Sequence, residues 1–177
     1  PDLRDSTRRT FLEMVPEEWC KGGIKGWSVS ENRLHMTGDS EVLFRHLDVT
    51  DQKNSAHLKA LNLTAFGIDE GGEVAEDAFR NLSGRLRRKN TPIRRGLVTG
   101  NPNGHDWRWK SFHDPARSEY LRKNYKGFVA PMTENPFLDP DYVENAKNTL
   151  PPDWVDRYVY GSFADMEDAV YKEWDEP

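Results

Sequence analysis

Leu63-Thr64-Ala65-Phe66-Gly67-Ile68-Asp69-Glu70 is a short apolar run that ends abruptly in two adjacent carboxylates. It is short enough for a buried strand and too short to define a helix. Near-continuous apolar sequence marks a parallel strand covered by helices on both faces. In open α/β sheets, ligands sit beyond the carboxyl ends of the strands. Asp69 and Glu70 are therefore expected where a ligand binds. The alternative is a strand that simply ends in a solvated Asp-Glu turn.

Downstream, Gly71-Gly72 reads as a flexible turn. Val74, Ala78, Leu82 and Leu86, with Ala75 and Phe79 beside them, form an i, i+4 stripe that predicts an amphipathic helix ended by Thr91-Pro92. Glu73, Glu76 and Asp77 fall in its first turn, and Arg85, Arg87, Arg88 and Lys89 in its last, as the helix dipole favours. Gly96-Leu97-Val98-Thr99 predicts a second short strand, followed by Gly100-Asn101-Pro102-Asn103-Gly104. Strand, helix and strand at this length make a βαβ unit with two parallel neighbours.

Upstream, Asp5 or Ser6 can cap a helix that runs to about Met14 and is stopped by Pro16. Period-two alternation follows in Trp27 and Val29, then Leu34 and Met36, then Val42 and Phe44. Turn signals at Glu31-Asn32 and Gly38-Asp39 make this a small antiparallel meander. Residues 53–60 read as a short helix or turn. On the carboxyl side, Trp107–Phe112 alternates like a strand, Ala116–Arg122 reads as a helix and Tyr125–Ala130 as a strand. Glu134-Asn135-Pro136 is a turn. Asp139-Pro140 opens a helix with Tyr142, Val143, Ala146 and Leu150 inward. After Pro151-Pro152, Asp153 caps another helix with Trp154, Val155, Tyr158 and Val159 inward and Gly161 as its stop. Residues 169–175 alternate again.

Composition narrows the function classes. With 177 residues the length prior gives one domain with room for a core; 36% hydrophobic and 31% charged residues make it polar for a globular domain. The net charge of −5 argues against a surface that grips DNA as a whole. Nucleic-acid contact would come from the one dense basic patch, Arg80, Arg85, Arg87, Arg88, Lys89, Arg94 and Arg95, unless those charges only complement a helix dipole. Cys20 is the sole cysteine, so no internal disulfide forms and a cytosolic setting fits. No run approaches the ~18 apolar residues of a membrane span, and the amino terminus, which lacks Met, is no signal peptide. The chain is expected to begin inside something longer. His35, His46 and His57 lie on different predicted elements and predict no zinc site.

Two carboxylates at a strand end suit phosphoryl transfer to water. Asp69 can hold Mg²⁺, and Glu70, one residue on, can orient the attacking water. Thr99 and Asn101 end the neighbouring strand, where a hydroxyl and an amide can hydrogen-bond the γ-phosphate or the water. The alternative for Asn101 is an Asn-Pro turn residue.

Five stretches carry a family resemblance in the right order. Leu58-Lys59-Ala60-Leu61 through Ile68-Asp69-Glu70 resembles the approach to a Walker B pair. Phe79-Arg80-Asn81-Leu82-Ser83-Gly84-Arg85-Leu86-Arg87 resembles an "RLR" helix, and Leu97-Val98-Thr99-Gly100-Asn101-Pro102 with Trp107 a coupling motif. Thr133-Glu134-Asn135-Pro136-Phe137-Leu138 matches a T-x-N-P-x-L lid pattern. Asp153-Trp154 through Tyr158-Val159-Tyr160-Gly161-Ser162-Phe163, then Val170-Tyr171, resembles the linker into a nuclease half. Together they resemble the ATPase region of the phage terminase large subunit, a motor that packages viral DNA.

The resemblance implies an α/β fold: a partial P-loop NTPase (ASCE-type) parallel sheet with flanking helices, the small antiparallel meander and a C-terminal helical lid. Residues 1–112 would be the later part of the ATPase core, 113–165 a lid and linker, and 166–177 the start of a link to a nuclease domain. It implies ATP and Mg²⁺ as cofactors, Asp69 as the metal residue, and Glu70, Asp69, Asn101, Thr99 and Lys59 as site residues. Asn101 and Thr99 would couple hydrolysis to movement. Lys59 falls about where the family often has a basic residue, and is otherwise a solvated lysine. Implied partners are double-stranded DNA, a portal protein, a small terminase subunit and further copies in a ring, in the host cytoplasm and with no membrane. Two departures are visible. No G-x-x-x-x-G-K-[ST] occurs, so the phosphate cradle is missing and the chain alone is expected not to hydrolyse ATP. Gly71 replaces the Ala usual after the acid pair, which is expected to loosen the turn holding Glu70. The alternatives are a non-catalytic partner- or DNA-binding fragment of a P-loop ATPase and, more weakly, an RNase H-like nuclease.

Overall fold

The computed structural model describes residues 3–22, 27–28, 30–47 and 58–163. The chain divides into two compact units, Pro1–Leu61 and Asn62–Pro177.

In the first unit, helix α1 spans Leu3–Met14. It begins ahead of Asp5 and Ser6, so neither caps it: both lie inside its first turns, whereas a cap residue sits just outside them. The meander forms as expected. Strands β1 (Trp27–Ser28), β2 (Arg33–His35) and β3 (Glu41–Leu43) pair antiparallel in that order. Left-handed residues make the two turns: Asn32 at φ 50° in the first, Gly38 at 71° and Asp39 at 56° in the second. Leu34 is fully buried, and Phe44 takes edge-on contacts from Phe11 at 5.4 Å and Trp27 at 5.6 Å. Cys20 is buried too, a small apolar filler rather than an accessible thiol. Val29 and residues 48–57 lie outside the described residues; Leu58 and Lys59 form a helical turn.

The second unit is built on strand β4 (Ala65–Ile68), helix α2 (Glu76–Ser83) and strand β5 (Arg95–Val98). The two strands pair parallel, Ala65 opposite Arg95 through Ile68 opposite Val98. The βαβ expectation therefore holds, and α2 lies between the strands in sequence. Phe66 and Ile68 point to the face that carries α2, while Leu97 on the opposite face is 65% exposed. Gly96 has its reason here: a Cβ at this position would run into the ring of Phe66 on the paired strand.

Phe79, from the buried stripe Ala78, Phe79 and Leu82, is the hub of the core. It stacks on Trp107 at 4.8 Å and meets Phe66, Phe112 and Tyr125 edge-on at 5.9–6.1 Å. Such pairs contribute about 0.5–1.5 kcal/mol beyond their area.

Several element boundaries differ from the sequence expectation. Helix α2 stops at Ser83-Gly84, not at Thr91. The chain then turns back, and Leu63 and Arg85 to Arg88 exchange backbone hydrogen bonds: Leu63 N to Arg85 O at 2.8 Å, and Arg88 N to Leu63 O at 3.3 Å. Arg85, Arg87, Arg88 and Lys89 thus lie in the loop beyond the helix and not in its last turn; Arg80, which is in the last turn, pairs with Glu76 at 2.6 Å. Trp107–Phe112 is not a strand. Asp106 accepts the backbone N–H of Arg108 at 2.9 Å and of Trp109 at 3.2 Å, which starts a helical turn instead, continued as a π-helical turn over Trp109–His113.

Helix α3 runs Glu119–Asn124, capped by Ser118, later than the predicted Ala116 start. Residues 125–130 have no regular secondary structure and join no sheet among the described residues. Helix α4 runs Pro140–Thr149, capped by Asp139 as expected, but Tyr142 is 56% exposed. Helix α5, Pro152–Trp154, continues as a π-helical turn over Val155–Val159. Asp153 lies within it rather than capping it, and Trp154 is 43% exposed, whereas Val159 is fully buried. Gly161 ends the segment at φ 69°, its missing Cβ leaving room for Val129. Residues 169–175 lie outside the described residues. No described helix is long and apolar enough to cross a membrane.

Candidate functional site

The carboxyl ends of β4 and β5 form one rim. The parallel ladder continues past both strands: Thr99 N donates to Ile68 O at 2.9 Å, and Gly71 N donates to Thr99 O at 2.8 Å. The side chains join the same arrangement. Thr99 Oγ1 donates to Asp69 Oδ1 at 2.9 Å, and the same carboxylate oxygen accepts the Glu70 N–H at 3.1 Å. Of the expected site residues, Asp69 and Thr99 are thus in direct contact.

Glu70 and Asn101 leave the same rim. Glu70 is left-handed, at φ 50° and ψ 50°, a conformation that costs a non-glycine residue on the order of 1 kcal/mol. It sends the chain sharply off the strand and leaves the Glu70 side chain exposed. Gly100, at φ 143°, fits against this turn: a Cβ there would lie 3.0 Å from Gly71 N and 3.4 Å from the Glu70 carbonyl carbon. Asn101 follows directly and is exposed, with buried Pro102 anchoring the loop behind it. Lys59 is exposed and belongs to the first unit, whereas the other four belong to the second.

Gly71 does not loosen the turn. It is buried, its N–H is bonded to Thr99, and an added Cβ would lie 2.5 Å from Val98 Cγ1. The turn has closed to a distance only glycine allows.

Sequence reading passed over Arg108. It is buried, with its guanidinium held by Asp106: Nε and Nη2 donate to Oδ2 at 2.8 and 2.7 Å. Its stem and guanidinium pack beside Gly71, Gly72 and Gly100. An alternating strand through Trp107–Phe112 would put Arg108 opposite the tryptophans, so period-two logic hid it. Beside it, Trp107 Nε1 donates to Val74 O at 2.8 Å. His105, next to Asp106 in sequence, lies against the Trp109 ring at 4.1 Å.

Chemically, the rim offers a carboxylate and a hydroxyl in contact, a second carboxylate one residue on, and an amide from the neighbouring loop. Hard divalent cations favour such oxygen donors, so the donor set suits Mg²⁺ beside a nucleotide. The basic residues Arg87, Arg88, Lys89, Arg94 and Arg95 are all exposed on the loop and strand that precede the rim.

The parallel β4–β5 pair with α2 between its strands in sequence, together with the antiparallel meander, places the chain in the class of mixed α/β proteins. The chain belongs to the phage terminase large subunit family, whose profile matches residues 2–158. It is 30% identical over 118 residues to the PBSX phage terminase large subunit of Bacillus subtilis (strain 168), a match covering 66% of this chain and 26% of that protein. The chain thus spans about a quarter of that relative. In fold it is similar to the large terminase of a thermophilic bacteriophage, with a TM-score of 0.60 at 17% identity over 77% of this chain and 32% of that one. Structures of the same phage terminase in complex with ATP-gamma-S and with ADP give TM-scores of 0.59 at 16% and 18% identity; the first match covers 77% of this chain and 31% of that one, the second 76% and 32%.

Proposed function

We propose that the chain is part of the ATPase motor of a viral terminase large subunit and couples ATP hydrolysis to the packaging of double-stranded DNA into a procapsid. The observation that carries this reading is the shared rim, where Thr99 bonds to Asp69 and the turns bearing Glu70 and Asn101 pack together. Family membership and the nucleotide-bound neighbours from the thermophilic phage support it.

Bound ATP supplies the phosphoanhydride, and Mg²⁺ balances charge on its phosphates. Asp69 is the residue to hold that Mg²⁺, oriented by the Thr99 hydroxyl. Glu70, projected by its left-handed turn, aligns and deprotonates the attacking water. Asn101 hydrogen-bonds near the γ-phosphate and registers its departure, and Thr99 carries that change into β5. Lys59 contributes a point charge to a nucleotide. Residues 1–112 serve as the later part of the ATPase core with a Walker B pair, 113–165 as lid and linker, and 166–177 as the start of the link to a nuclease domain. The partners are double-stranded DNA, a portal protein, a small terminase subunit and other copies in a ring, working in the host cytoplasm.

This chain contains no G-x-x-x-x-G-K-[ST], so by itself it does not turn over ATP. The test is Mg²⁺-dependent ATP hydrolysis by the complete gene product, with and without duplex DNA. Asp69→Asn should abolish it, and hydrolysis that persists at the wild-type rate would overturn the reading. A second reading, a non-catalytic DNA-binding fragment, is favoured by the exposure of Arg87, Arg88, Lys89, Arg94 and Arg95. In the same assay it predicts salt-sensitive duplex binding with no hydrolysis.

A further inference from the structure

Two rim turns come from different parts of the chain, one carrying Glu70 and the other Asn101, and a single buried side chain lies against both. A Cβ on Gly72 would be 2.9 Å from Arg108 Nη2, one on Gly100 3.1 Å from Nη1, and one on Gly71 3.3 Å from Cδ. Three glycines in two turns therefore close on one arginine side chain, two on its guanidinium and one on its stem. Asp106 orients the guanidinium, binding it through Nε and Nη2 while its other oxygen holds the backbone N–H groups of Arg108 and Trp109. A rigid planar fork suits this task; a lysine ammonium would present a point charge with no second arm.

We propose that Arg108 is a positioning residue that couples the two turns, so that a displacement of the Asn101 loop is delivered to the Glu70 turn and to the helical segment beginning at Trp107. The proposal rests on reading Glu70 and Asn101 as the acting pair. Arg108 touches neither side chain's working end; it acts through Gly72 and Gly100. The segment it anchors also holds the residue that ends the turn after Glu70, through the Trp107 indole on Val74 O, and runs into the π-helical turn Trp109–His113. Such turns recur at functional sites. Movement at the rim thereby has a path into the residues that precede the lid.

The test perturbs one turn and reads the other by amide NMR of this chain. Gly72→Ala pushes on Nη2, the far end of a long side chain and not backbone, so a small shift of the guanidinium accommodates it and the fold survives. It should shift the Gly100 and Asn101 amide resonances, and Arg108→Met in the same chain should abolish that remote shift while the local shift near residue 72 remains. Arg108→Lys, which keeps the charge and stem, provides the same comparison should the Met variant fail to fold, and should also abolish it. A remote shift of equal size in these backgrounds, or no remote shift from Gly72→Ala alone, overturns the proposal. The measurement uses no nucleotide, so its failure is separate from any failure of ATP hydrolysis at the rim.

Discussion

Thr99 Oγ1 donates a 2.9 Å hydrogen bond to Asp69 Oδ1, across the ends of two parallel strands whose residues lie 30 positions apart in sequence. The bond fixes the first carboxylate of the acid pair from the residue that follows β5 and leads into the Asn101 loop. Thr99→Val keeps the shape and removes the donor. It should cost about 1 kcal/mol in urea unfolding, the net value of an ordinary hydrogen bond and less than a buried bond to a charged group, because the contact is exposed. Thr99→Ser should be close to wild type.

Two glycines in the same unit make opposite predictions. Gly71→Ala forces a Cβ to within 2.5 Å of Val98 Cγ1, while a Cβ on Gly67 meets nothing within 4 Å. The first should destabilise by about 1–3 kcal/mol, and the second should change stability by less than about 0.5 kcal/mol. Denaturant midpoints of the two variants check this directly.

Phe79 holds β4, Trp107, Phe112 and Tyr125 around one ring. Phe79→Ala should cost about 3–5 kcal/mol. Loss of near-UV circular dichroism from the surrounding aromatics, together with the lower midpoint, is the expected readout.

His113 carries a pH signature. Burial, and secondarily the nearby Arg117 charge, lower its pKa below the ordinary 6.5. The neutral ring is what fits: it packs so closely on Gly127 that a Cβ there would collide with it, and it lies 4.7 Å from the Phe163 ring. With the folded value depressed, the unfolded chain binds the proton first as pH falls. Its contribution is therefore complete above 6.5 and is lost as pH drops from there towards the lowered folded value. The difference in unfolding midpoint between wild type and His113→Gln should shrink as pH falls below 6.5.

Much of the rim was legible in the sequence because its signals are local. An apolar run of strand length ending in Asp69-Glu70, an amphipathic stripe through Ala78 and Leu82, and a second run ending at Thr99 define a βαβ unit without further information. The Asn32 and Gly38-Asp39 turns gave the meander for the same reason. What escaped were properties decided by contacts between distant residues. Helix α2 stops early because Leu63 offers backbone partners to Arg85 and Arg88, which no periodicity reveals. Residues 107–112 alternate like a strand, yet the Asp106 side chain captures two N–H groups and winds them into a turn. Arg108 was invisible because a buried arginine contradicts hydropathy, and only its pairing with Asp106 and the glycines around it explain its burial. Gly71 read as a flexible position, whereas its missing side chain is what lets the two strand ends meet.

The central claim is that Glu70 acts on water at a rim shared with Asn101. It is tested most directly by comparing ATP binding and single-turnover hydrolysis in the complete gene product with and without Glu70→Gln. The expected result is nucleotide affinity near wild type and a hydrolysis rate lower by about 100-fold or more. A Glu70→Gln protein that hydrolyses ATP at the wild-type rate would contradict it.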